Sequence, residues 1–151
     1  MEAVKTRSRR NNYLTTANSY IKKAEKSAGR GSYLLAKDYL QKASIAYKSA
    51  GDTDGSKKAF KLFDAVDHRN DAKKSERIGD YRGAKKDLEQ AASIYEKTGY
   101  KKVMLLVKAE IAELDAKIAR FHKMRAHLEN LPKSQMCHII ILSQEARKTL
   151  Q

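Results

Sequence analysis

The chain is poor in the residues that break or staple a polypeptide. Of its 151 residues one is proline, seven are glycine, one is cysteine and none is tryptophan. With so little proline and glycine, long segments run uninterrupted, which suits helices and argues against a turn-rich β fold. A lone Cys137 excludes an intramolecular disulfide and fits a reducing compartment, so a cytoplasmic location is expected. No apolar run approaches the roughly 20 residues of a membrane span. Residues 1–20 also lack the apolar core of a secretory signal. They are Arg-rich and acid-poor and read as a first helix, with a mitochondrial targeting segment as the competing reading. Missing too are a Gly-rich phosphate loop, a nucleophile elbow and a paired Cys-x-x-Cys motif.

Positive charge is abundant. Lys and Arg number 32 against 18 Asp and Glu, a formal net charge of +14. Such an excess favours an acidic partner: an acidic protein, a nucleic-acid backbone or an anionic membrane surface. A Lys-rich solvated surface is the plain alternative. Apolar residues make up 41% of the chain, with three Phe and eight Tyr. That composition predicts a core of small side chains with tyrosine supplying the bulk.

The chain also repeats itself. Residues 31–51 read GSYLLAKDYLQKASIAYKSAG, and residues 79–99 read GDYRGAKKDLEQAASIYEKTG. At an offset of 48, eleven of the 28 positions in 24–51 are identical in 72–99. The shared pattern is G-x-Y-x-x-A-K-x-x-L-x-x-A-x-x-x-Y-x-x-x-G. Its residues are Gly31, Tyr33, Ala36, Leu40, Ala43, Tyr47 and Gly51, answered by Gly79, Tyr81, Ala84, Leu88, Ala91, Tyr95 and Gly99. Steps of three and four place these tyrosines, alanines and leucines on one helical face. The alanines leave room for a neighbouring helix. Ser32 and Asp80 are expected N-caps. Gly51 and Gly99 are expected left-handed C-terminal residues, and Gly31 and Gly79 permit tight turns from a preceding helix. That helix shows an apolar stripe at Tyr13, Ala17, Tyr20, Ile21 and Ala24 in the first copy. In the second, from about Ser56 to Ile78, the stripe is Phe60, Phe63 and Val66. Such helix–turn–helix units bury their faces by stacking on one another.

A third unit lacks the motif. Val103, Val107, Ile111, Leu114, Ile118, Phe121 and Leu128 form a helical stripe from Tyr100 to about Leu131, where Pro132 ends it. Ser134 is expected to cap a last helix carrying the apolar residues 139–142, which either seals the stack or forms a dimer contact.

The pattern G-x-Y-x-x-A-x-x-x-L-x-x-A resembles the second-helix half of a tetratricopeptide (TPR) repeat. In the first-helix half, Ala24, Ala72 and Tyr20 fit. His68 replaces the aromatic, Lys23 and Asp71 stand where leucine is usual, and the closing proline is missing near Lys48 and Glu96. The long helices and long period are similar in style to the SNAP adaptors of vesicle fusion, whose full array is longer than this chain. The resemblance covers about residues 9–99. It implies an all-α, TPR-like stack of antiparallel helix pairs, about six helices in a right-handed solenoid. The whole chain, 1–151, would be one domain with units at about 9–51, 52–99 and 100–151. The implied function is a non-enzymatic scaffold or adaptor that binds a protein or peptide without a cofactor.

Lys58, Lys61, Arg69 and Lys73 fall within about a third of the circumference of the second unit's first helix, with no acidic residue in that arc. The resemblance turns first helices toward a concave face, so this row is the expected clamp for carboxylates of an acidic partner. The alternative is phosphate contact with nucleic acid, to which Arg7, Arg9 and Arg10 would add. No aromatic is expected among these charges, because the tyrosines lie on apolar stripes, and that argues against base stacking. Arg120 and His127 match the R-x6-H spacing of HEPN-type ribonucleases, which would make His127 the acid/base and Arg120 a phosphate ligand. The residue after Arg120 is Phe121, a member of the apolar stripe. No metal site is expected: His122 and His127 are five apart, and Cys137 and His138 would diverge by about 100° on a helix.

Overall fold

The computed structural model describes residues 2–132, with side chains from Thr6 onward, and every regular element among them is an α-helix. These are α1 (Glu2–Gly29), α2 (Tyr33–Ser49), α3 (Thr53–Arg77), α4 (Tyr81–Thr98) and α5 (Lys101–Glu129). Five helices stand where six were expected; the sixth, reading from Ser134 through 139–142, lies outside the described residues. The chain divides into two compact units, 1–114 and 115–151, with the boundary inside α5.

The four repeat glycines set the turns. Gly31, Gly51, Gly79 and Gly99 all have φ between 73° and 83°, a left-handed conformation that any Cβ would strain. At each, the next residue's N–H donates to a carbonyl five residues back: Ser32 to Ser27, Asp52 to Tyr47, Asp80 to Ser75 and Tyr100 to Tyr95, all at 2.9 Å. This is the Schellman ending, and it closes every one of α1 to α4. The helix starts differ. Asp80 accepts from the Gly83 N–H at 2.9 Å, and Asp52 accepts from the Gly55 N–H at 2.8 Å. Asp52 therefore starts α3 at Thr53, ahead of the expected Ser56. Ser32 makes no side-chain cap bond. Both capping aspartates precede a glycine by three residues, which allows close approach; a Cβ on Gly55 would lie 2.6 Å from the Asp52 carboxylate. At Ser32 the equivalent residue is Leu35.

Side-chain pairs give the packing directions. Tyr20 stacks on Tyr39, and the Tyr47 hydroxyl donates to Asn18 at 2.7 Å, so α2 runs antiparallel to α1. The pairs Lys37–Asp67 at 2.6 Å and Ser44–Ser56 at 2.8 Å place α3 antiparallel to α2. On α2 the motif residues Tyr33, Ala36, Leu40 and Ala43 are buried, and on α4 Ala84, Leu88, Ala91 and Tyr95 are buried. Tyr47 and Tyr81 pack partly against the same core. Val107 and Leu114 bring the first half of α5 into it. A small, almost wholly apolar cavity lies among Ala24, Ala28, Leu40, Leu62, Val66 and Val103.

Four stripe residues depart from expectation. Tyr13 is 45% exposed and Phe60 49% exposed, and α3 instead buries Ser56, Ala59, Leu62, Ala65, Val66, Arg69 and Ala72. On α5, Phe121 and Leu128 are exposed although they continue the stripe of Val107 and Leu114.

Candidate partner-binding surface

The structure splits the expected basic row. Arg69 lies on the buried face of α3, only about 20° around the helix from Leu62. Its Nη2 donates to Glu110 Oε1 of α5 at 2.7 Å, and its side chain is 4% exposed. The guanidinium carbon stands 5.4 Å from the centre of the Tyr33 ring. Burial works against the charge on Arg69, while Glu110 and the neighbouring tyrosines outweigh it and raise the pKa. Arg69 is therefore a structural cation, unavailable to a partner. Its Nε and Glu110 Oε2 are buried without a hydrogen-bond partner among the described residues. Lys73 is exposed but held by Glu76 at 3.0 Å, and that hydrogen bond raises its pKa.

Lys58 and Lys61 remain at the N-terminal end of α3, where they join lysines that lay outside the row. Lys57, Lys58, Lys61 and Lys97 wall an open cleft with Asp54 and Thr98. Lys101 and Lys102 line a neighbouring hollow with Glu25 and Tyr100. Elsewhere in α2 to α4, Lys37, Lys42, Lys73, Lys74 and Lys85 are each ion-paired, while Lys48 and Lys86 have no ion pair among the described residues. None of the six lysines at this end has an ion-pair partner among the described residues.

The N-termini of α3 and α5 lie at this end; α3 carries Asp52 as its cap and Asp54 in its first turn, whereas α5 has no acidic residue in its first turn. At α5 the partial positive charge of the helix end adds to that of Lys101 and Lys102 instead of relieving it. Only Lys97, in the last turn of α4, sits at a favourable helix end. The Lys58 ammonium lies 5.0 Å from the Tyr100 ring centre, so an aromatic does stand among these charges. Tyr100 is half-buried, and burial first, then Glu25 and Tyr47, push its pKa up to about 12. Charge density at a helix-pair end was invisible to a reading of one helix at a time. The signal for it was the coincidence of KK at 57–58, Lys97 and KK at 101–102 beside two turn glycines.

The other candidates are not assembled into a site. Arg120 and His127 lie two turns apart on an exposed stretch of α5, and Arg120 Nε bonds to the Ala116 carbonyl at 3.3 Å. The His122 ring stands edge-on to Phe121, with ring centres 6.5 Å apart. Among the described residues no group of three or more His, Cys, Asp or Glu is placed to hold a metal. Cys137 and His138 lie outside the described residues. No known protein family, curated protein or solved structure matches the chain.

Proposed function

We propose that the chain is a non-enzymatic helical-repeat scaffold of TPR-like, right-handed stacked architecture that holds an acidic segment of a partner protein. The observation that carries this reading is the cleft of Lys57, Lys58, Lys61 and Lys97, four ammonium groups beside a single Asp54, none of them ion-paired among the described residues. An excess of like charges beside the α5 N-terminus, which has no acidic residue in its first turn, costs stability, and a bound carboxylate-rich segment removes that cost. The four equivalent Schellman turns support a repeat origin for the two helix pairs.

Affinity capture from native lysate, with and without nuclease and at two salt concentrations, tests the proposal. A discrete acidic protein should survive nuclease and moderate salt. Lys57→Glu plus Lys61→Glu should abolish its capture, while Arg9→Glu plus Arg10→Glu should change it little. If both pairs weaken binding comparably, salt dependence is steep and only nucleic acid co-purifies, the scaffold reading fails in favour of phosphate contacts. In that event His127→Ala decides whether the bound RNA is also cleaved.

A further inference from the structure

The second half of α5 carries a surface that the scaffold reading does not use. Residues 116–128 read AKIARFHKMRAHL, with Lys117, Arg120, Lys123 and Arg125 and no acidic residue. On a helix, Ile118, Phe121, Met124 and Leu128 share an arc of about 120°, with Lys123, His127 and Arg120 on the far side. Phe121 is 51% exposed, Met124 57% and Leu128 38%. A phenylalanine and a methionine held half in water on one helical face call for a cover.

We propose that residues 116–128 are an interfacial helix that lies along an anionic lipid surface, with Phe121, Met124 and Leu128 in the acyl boundary and the cations at the headgroups. Charge weighs against the internal occupants, among which the apolar run 139–142 is the one the test must separate. A second copy of this face would set basic residues against basic residues. Residues 133–151 carry Lys133, Arg147 and Lys148 against a single Glu145, so the rest of the chain is also basic.

The arrangement of the cations then separates a lipid from a protein groove. By helical angle, Lys117 falls between Met124 and Leu128, and Arg125 falls between Phe121 and Ile118. A dry protein groove that took the apolar arc would have to bury both charges. A headgroup layer does not, because long basic side chains extend their stems along apolar surface and reach up to phosphates. Among the described residues Arg125 is held by Glu129 in an exposed pair at 2.8 Å, a weak restraint. No helix of the described residues is long and apolar enough to cross a membrane, so the segment lies in the interface and does not span it.

The absence of tryptophan makes the test direct. Phe121→Trp places a single indole reporter in the full chain. Emission should shift to the blue, and the protein should float, with vesicles of phosphatidylcholine mixed with phosphatidylserine. Neither should occur with phosphatidylcholine alone, and added salt should weaken both. Arg120→Glu plus Lys123→Glu should lower the partition constant by about tenfold or more. Lys57→Glu plus Lys61→Glu should leave the indole shift in place, which separates this surface from the cleft. Far-ultraviolet circular dichroism confirms that each variant keeps its helices. The proposal is overturned if the indole does not respond to anionic vesicles, or if flotation is lost with the cleft lysines while the indole stays unshifted. It is equally overturned if the emission is already blue without lipid: rising with protein concentration, that result assigns the face to a second copy, and independent of concentration, to the chain itself.

Discussion

Arg69 shows how one residue's role follows from what covers it. Sequence places it on a row with Lys58, Lys61 and Lys73, but α5 lays Glu110 on it and takes it out of water. A buried guanidinium must keep its counter-ion, because an unpaired buried charge is far more costly than the pair. Glu110→Ala is expected to lower unfolding stability by about 3 kcal/mol in urea denaturation. Arg69→Met combined with Glu110→Leu should cost clearly less than Glu110→Ala alone, since no charge is then stranded. Tyr100 offers a pH test. Its folded pKa of about 12 lies above the ordinary 10.0, so its neutral form is favoured by folding. That contribution is in place below pH 10 and is lost as pH rises through about 12. Thermal melts across this window should decline less steeply for Tyr100→Phe than for the parent chain.

At the scale of the element, helix ends were the most legible part of the sequence, and their two halves were legible to different degrees. The C-terminal ends depend on one backbone conformation that glycine alone adopts freely, so a repeated glycine is a direct signal. Gly79→Ala, at φ 81°, should destabilise by about 1 kcal/mol or slightly more. The N-terminal ends depend on a side chain and on what stands three residues later. Asp80→Ala should cost about 1 kcal/mol, whereas Ser32→Ala should be nearly neutral, because Ser32 makes no cap bond. Chemical denaturation of the two variants side by side checks the contrast. The D-x-x-G spacing at 52–55 and 80–83 was the readable signal that separates them.

For the whole chain, burial divides along the sequence. Residues 33–114 contain most of the buried core, and from Ala119 to Asn130 every residue is exposed. An isolated helical stretch of about a dozen residues is marginal in water. In hydrogen exchange without lipid, amides of α2 to α4 should therefore be the slow set and those of 119–129 the fast set. The long apolar stripe of α5 did not foretell this, because periodicity states which residues share a face and not how far a neighbour extends to cover it.

The sequence by itself determined the helical class, the positions of the turns and the buried faces of α2 and α4. Those depend on local backbone geometry and on short-range periodicity, both of which are written in consecutive residues. Only the tertiary structure decided which cations face water. Arg69 was buried by a helix 41 positions away, and six lysines from three helices were gathered at one end of the α3–α4 pair. Exposure is a property of what packs against a residue, and the packing partner is set by contacts distant in the chain.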